Sequence, residues 1–265
     1  MNDVTNWWST AIIDMHPGYI GIRGTPIEQL IGTTSFPGMI WRMVREDMPT
    51  EGQLRLFEAA LVAAVDHGPQ APSIATARMA VTCGQALNGA MASAVNLLDD
   101  VHGGAGEQAA ALFQDMVAAG GPEAVPTVLA DWRTRHGKHV CGYGHRFHKP
   151  TDPRAPRLMA LVAEATAAGV CTGEYRAVAT ATEAHLTSLA GKPIPMNIDG
   201  ATAVIYTELG FAPPLSRGLF CLSRSVGILA HAWEQMNQGG RNKGPTPPTY
   251  RWRYTGPNPL SDPTD

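Results

Sequence analysis

The sequence predicts an all-α fold. Apolar residues recur at three- and four-residue spacing through the middle of the chain, caps and glycines punctuate those stretches, and alternating strand patterns are nearly absent. The first long helix opens at Thr50, whose hydroxyl suits an N-cap, with Gln53 three residues on to complete a capping box. Leu54, Phe57, Leu61 and Val65 then share one face, and Gly68 ends the run. Residues 72–95 are rich in Ala and Gly, which permits close approach of a neighbour, with Met79 and Met91 as gap fillers. Residues 106–118 and 122–135 read as two helices parted by Gly120-Gly121, and 158–168 and 175–189 as another pair. Leu219, Leu222, Val226, Leu229 and Trp233 form one stripe of a last helix. Residues 239–265 carry Gly, Pro, Asn and Thr in place of aliphatic side chains, the composition of an extended tail.

At 265 residues the chain has ample core volume for one large or two small domains. A net charge of −3 with 16% charged residues argues against nucleic-acid or membrane-surface partners. No apolar run approaches the ~20 residues of a membrane span, and residues 2–8 lack the character of a secretion signal, so a cytoplasmic location is expected. Cys83, Cys141, Cys171 and Cys221 are scattered, which fits packed thiols in a reducing compartment rather than a disulfide framework or zinc site.

Residues 142–154 are the most informative stretch. Gly142-Tyr143-Gly144 opens it, His145, Arg146, His148 and Lys149 follow, and Asp152-Pro153-Arg154 closes it. Glycines let backbone N–H groups approach a ligand closely, and the planar fork of Arg154 suits a carboxylate or phosphate. Taken alone, the segment is either an anion-binding loop with a histidine aimed into it or a solvated basic turn.

Four other motifs accompany it in order: Asp66-His67-Gly68 with Pro72-Ser73, Val101-His102-Gly103-Gly104-Ala105, Asn197-Ile198-Asp199-Gly200, and Ser223-Arg224-Ser225-Val226-Gly227. Together, from about Leu54 to Gln235, they resemble the citrate synthase family. The segment Ile20-Gly21-Ile22-Arg23-Gly24, leading to Ile27 and Gly32, is similar to that family's short N-terminal lead-in. The resemblance implies a citrate-synthase-like fold: a large helical domain from residues 1–102 and 201–265, with a smaller helical domain, 103–200, closing over the active site. The chain is short beside a full-length citrate synthase, which looks like the compact citryl-CoA lyases of the same family.

The chemistry implied joins or separates acetyl-CoA and oxaloacetate. It needs a carboxylate that exchanges a proton with a weakly acidic methyl group, a donor to the enolate, and cations for a dicarboxylate. By resemblance, Asp199 is that carboxylate, though Asn-Ile-Asp-Gly alone would read as a helix cap; His102 donates to the thioester oxygen; and His145 serves the ketone or citryl hydroxyl. His67, Arg154 and Arg224 match substrate-binding positions, and Arg241 a third arginine reaching across a subunit interface. Gly142, Tyr143 and Gly144 would lie against coenzyme A, with Arg146 and Lys149 either meeting its phosphates or facing solvent. Asp99 and Asp100 stand where the family has a Gly-Pro pair, and two carboxylates so close to His102 would alter its orientation or protonation.

Six of the nine histidines lie between His67 and His148, but their spacing forms no compact ligand pattern and the family uses no metal. The expected activity is retro-Claisen cleavage of citryl-CoA, with condensation by a citrate or 2-methylcitrate synthase as the alternative. A non-catalytic CoA-binding subunit is the reading from another class. Expected partners are acyl-CoA with oxaloacetate or citryl-CoA, and a second copy in a homodimer.

Overall fold

The structure is a computed structural model, described over residues 7–257. Three short antiparallel strands, β1 (Ile13–His16), β2 (Tyr19–Ile22) and β3 (Thr25–Pro26), pair in sequence order. Helices follow: α1 (Ile27–Leu30), α2 (Phe36–Val44), α3 (Glu51–Ala63), α4 (Pro72–Thr82), α5 (Leu87–Val95) and α6 (Ala105–Ala118). After a 3-10 turn at Gly121–Ala124 come α7 (Val125–His136), α8 (Arg154–Ala167), α9 (Glu174–Ala190), α10 (Ile198–Glu208) and α11 (Pro213–Gln238). The all-α expectation holds. The small N-terminal sheet, in the segment similar to the family's lead-in, has strands only four, four and two residues long, too short to establish a period in the sequence.

Local rules explain the helix starts. Thr50 Oγ1 accepts from Gln53 N at 3.2 Å while Gln53 Oε1 accepts from Thr50 N at 2.9 Å, the expected capping box. The single segment expected at 72–95 is two helices, because the chain turns through Gly84 at φ 93°.

Contacts divide the chain into two compact units. One holds the described residues up to Val65 together with Asp99–Arg224; the other holds Asp66–Leu98 and the described residues from Ser225 onward. In the first unit α10 is buried on all sides, from Gly200 to Thr207, and packs against α3, α6, α8 and α9. Its threonines enter the core because their hydroxyls bond back to the helix: Thr202 Oγ1 to Ile198 O at 3.0 Å and Thr207 Oγ1 to Ala203 O at 2.8 Å. Beneath it Trp41, Phe57 and Phe211 pack with centroids 5.0–5.5 Å apart. In the second unit α4 lies on α5, where Ala77, Ala90 and Ala94 have no exposed surface, as the small-residue composition suggested. Along α11 the expected stripe is not uniform. Leu219 is buried, whereas Val226, Leu229 and Trp233 are 57%, 41% and 55% exposed.

The start of α10 is the tightest crossing. A methyl on Gly200 would lie 2.5 Å from Gly142 O and 2.9 Å from Met196 Cγ. We therefore expect Gly200→Ala to lower unfolding free energy by about 1–3 kcal/mol, measured by chemical denaturation, whereas Gly218→Ala, where nothing lies within 4 Å, should change it little.

Candidate active site

Three segments of the first unit converge on the first turn of α10. The loop after α7 crosses the strand-like stretch before α10, with Gly144 N donating to Pro195 O at 2.7 Å and Asn197 N to Gly142 O at 2.9 Å. Asn197 Nδ2 donates to Gly144 O at 2.7 Å, while its Oδ1 caps α10 by accepting from Asp199 N and Gly200 N. This lattice admits no side chain at residue 142, whose φ is 88°. The Tyr143 side chain is buried, and its hydroxyl donates to Ala179 O at 2.8 Å inside the core.

Asp152, fully buried, ties the loop's end to the same helix. Its Oδ2 accepts from Ile198 N at 3.1 Å and from Arg154 Nη2 at 2.8 Å, and its Oδ1 accepts from Arg154 Nε at 3.0 Å. Burial pushes this carboxyl upward, but the Arg154 bonds and the two backbone donors outweigh it and hold it below the ordinary range. Arg154 is thereby a fixed fork. Arg224 is buried too, donating from Nε to Ala64 O at 3.1 Å and stacked 4.8 Å over the Phe220 ring.

Asp199 sits among these groups. Burial pushes its carboxyl up, opposed by the Arg224 and Arg154 guanidiniums and reinforced by Asp152. An ionised Asp199 is therefore a stronger base than a surface aspartate. His145 is held in one tautomer: Phe147 N and His148 N both donate to its Nδ1, at 3.0 and 2.9 Å, so the ring proton of the neutral form sits on Nε2. Burial lowers its pKa, Asp152 raises it, and His148 and Arg154 lower it again, for a net fall. His102 is likewise shifted down, by burial and then by Arg224. Both imidazoles are thus favoured neutral.

The structure therefore brings His102, His145, Asp199, Arg154 and Arg224 into one electrostatic neighbourhood. Arg146 and Lys149 are exposed. His67 and Arg241 belong to the second unit. There Asp66, beside His67, accepts from Gly68 N at 3.2 Å and pairs with His231, which also meets Arg78. Asp99 and Asp100, the carboxylates expected to act on His102, both meet Arg217, at 2.6 and 2.5 Å. Among the described residues no three His, Cys, Asp or Glu side chains are grouped to hold a metal ion.

Sequence reasoning also missed a cleft of about 440 Å³ on the other side of the Tyr143–Gly144 backbone, floored by Leu186, Leu189 and Ile194 and rimmed by Arg133, Lys138 and His139. An apolar floor with a cationic rim suits a planar base carrying phosphates. The signal was present in Arg133, Lys138 and His139, but only the fold of α7 brings them to the loop.

Two expected outcomes test the Asp152 anchor. Asp152→Ala should destabilise the first unit by roughly 3 kcal/mol, the range for stranding one partner of a buried ion pair. Because the Asp152 pKa is depressed, its contribution is present above the ordinary carboxylate value and is lost as pH falls through the folded one. Denaturation from pH 7 to 2 should show wild type and Asp152→Ala converging only below pH ~4.

Comparison with known proteins places these features in a wider setting. Residues 39–253 match the family described as "Citrate synthase, C-terminal domain". The chain is 28% identical over 210 residues to the citrate synthase of Saccharolobus solfataricus, covering 79% of this chain and 54% of that one, so it spans about half the length of such curated relatives. Its fold superposes on the citryl-CoA lyase from Hydrogenobacter thermophilus with a TM-score of 0.85 and 32% identity, over 95% of this chain and 96% of that one. The fold is also that of part of the ATP citrate lyase from Methanothrix soehngenii, solved with citrate and coenzyme A, at a TM-score of 0.79 and 21% identity over 94% of this chain and 42% of that one.

Proposed function

This chain belongs to the citrate synthase family, and from that premise we propose that it cleaves citryl-CoA to acetyl-CoA and oxaloacetate. The observation carrying the proposal is the cluster of a basic buried carboxylate, two neutral imidazoles and two fixed arginines at the start of α10. The end-to-end likeness to a citryl-CoA lyase favours cleavage, while the citrate synthase relatives keep condensation as the second reading.

The carbon–carbon step is the same in either direction. Arg154 and Arg224 hold the carboxylates of the four-carbon half; Asp152 occupies Arg154 Nε and Nη2, so a ligand would meet Nη1. As the carbon–carbon bond breaks, its electrons form the acetyl-CoA enolate, whose oxygen accepts a hydrogen bond from His102. The former alcohol oxygen becomes the ketone and accepts a hydrogen bond from His145 Nε2–H throughout. Asp199, protonated because burial raises its carboxyl, gives its proton to the methylene to complete the acetyl methyl group. The proton released by the hydroxyl returns the carboxylate to its protonated form, so none is gained or lost overall. Neutral histidines suit these hydrogen bonds, because an imidazolium would protonate rather than stabilise the enolate oxygen.

Coenzyme A would run along the Gly142–Gly144 backbone with its nucleotide end in the adjoining cleft, where Arg133, Lys138 and His139 meet phosphates, and Arg146 and Lys149 lie at the exposed edge. Closure of residues 103–200 over the substrate belongs to the same proposal. So does pairing of two copies through the open face of α11, and residence in a reducing cytoplasm where the four free cysteines stay thiols. The roles of His67 and Arg241 rest on the resemblance alone.

Incubation with citryl-CoA, followed by mass spectrometry, should yield acetyl-CoA and oxaloacetate without ATP; citrate and free CoA alone would instead support the synthase reading. Asp199→Asn should reduce turnover by ~10²-fold or more, as for a positioned acid–base group, while leaving oxaloacetate binding by calorimetry near wild type. Wild-type turnover in that variant would remove Asp199 from the mechanism.

A further inference from the structure

The turn carrying His102 is held by an arginine 115 positions away in sequence. Arg217, near the start of α11, meets three carboxylates: Nη1 lies 2.6 Å from Asp99 Oδ1, Nη2 2.5 Å from Asp100 Oδ1, and Nε 2.5 Å from Glu107 Oε2 on α6. We propose that Arg217 is a positioning residue for His102: its guanidinium gathers Asp99, Asp100 and Glu107, fixing the turn that presents the imidazole and holding the turn's two carboxylates off it.

The turn itself is built to transmit such a hold. Asp99 N donates to His102 O at 2.9 Å, and Asp100 N to Asp99 Oδ1 at 2.8 Å. Gly103 has φ 113°, and a methyl on Gly104 would lie 2.7 Å from Asp100 Cα, so the chain folds directly back on Asp100. The Asp100 carbonyl is fixed as well, accepting from Gln108 Nε2 at 3.1 Å, and Gln108 Oε1 in turn accepts from Cys141 Sγ at 3.0 Å beside the His145 loop. A shift at Asp99 or Asp100 therefore becomes a shift of His102 relative to that loop.

Stability does not explain the two contacts to the turn. The Asp99 and Asp100 side chains are 78% and 76% exposed, and ion pairs that open to water stabilise a fold little, whereas the Glu107 side chain, 24% exposed, is the sheltered partner that ties the arginine to α6. What one cation among three anions does is cancel repulsion at a chosen place and impose a geometry, since the guanidinium offers its donors in a rigid plane. Arg224 from α11 acts on His102 directly, while Asp99 and Asp100 on its own turn and Glu107 from α6 are the carboxylates that Arg217 holds. Removing the Arg217 charge tips this balance toward the anions.

The proposal rests on the role assigned to His102, so its test has two separable readouts. One is the pH dependence of citryl-CoA turnover; the other is NMR titration of the His102 ring in the ligand-free protein, which needs no activity. Added negative field favours the imidazolium, and turnover requires the neutral ring. In Arg217→Gln the acidic limb of the kcat profile and the His102 titration should therefore both move to higher pH, by a few tenths of a unit or more. Its kcat should fall on the order of tenfold, as for a displaced catalytic group, with KM changed far less. Adding Asp99→Asn and Asp100→Asn removes more negative charge than the lost arginine supplied, so it should return both titrations to the wild-type pH or below it, a rescue that a general packing defect would not show. Arg217→Lys keeps the charge but not the planar fork, so it should keep the titration and lose kcat; this arm also serves if the Gln variant does not fold. An unmoved His102 titration in folded Arg217→Gln, a shift that persists in the triple variant, or wild-type kcat in Arg217→Lys would each overturn the proposal. Absence of turnover in wild type, with the NMR shift present, would sink the citryl-CoA reading and leave the clasp standing.

Discussion

The buried carboxylate of Asp152 organises the candidate site. It accepts from Arg154 and from the first backbone N–H of α10, so one side chain sets both an arginine fork and the position of the helix that carries Asp199. An isolated buried carboxylate would be strongly destabilising. Here it is kept ionised by the groups it positions, and removing the charge would release both at once. The Gly142–Gly144 crossing completes the frame from the other side, with Asn197 bonding the loop through Nδ2 and the helix through Oδ1.

Around that frame the polar groups are tuned in opposite senses. Burial lifts Asp199 and depresses His102 and His145, which is the expected direction for an acid and for two bases leaving water. The two arginines act on both sets: they pull Asp199 back toward ionisation, while Arg224 presses His102 further toward neutrality. Burial thus draws the carboxyl and the imidazoles toward one another, while the arginine charge lowers both kinds of group, favouring carboxylate at Asp199 and neutral rings at His102 and His145.

Much of this was legible in the sequence where the cause is local. Thr50 and Gln53 are three residues apart, and their box formed as expected. The Asn197 cap of the Asn-Ile-Asp-Gly motif is likewise local, while the meeting of that motif with the His145 loop and Arg154 comes from long-range bonds, Asn197 Nδ2 to Gly144 O and Ile198 N to Asp152 Oδ2. What could not be read depends on distant partners. Tyr143 stands in the middle of a binding motif, yet its phenol is claimed by Ala179 in α9. The cationic rim of the cleft is assembled from the end of α7, facing α9 residues some fifty positions later.

Asp99 and Asp100 show the same limit most sharply. From sequence they are two anions beside an imidazole, and short-range electrostatics predicts a perturbed histidine. In the fold Arg217 turns them outward, and the groups acting on His102 become burial and Arg224 instead. A local charge pattern thus predicts that a compensating group is needed without saying where it lies. An acidic pair next to a histidine implies a nearby cation, and Arg217 of α11, which also meets Glu107 of α6, supplies it from far along the sequence. Where a relative lacks those carboxylates, the same physics removes the need for the arginine, so the two features should be gained or lost together.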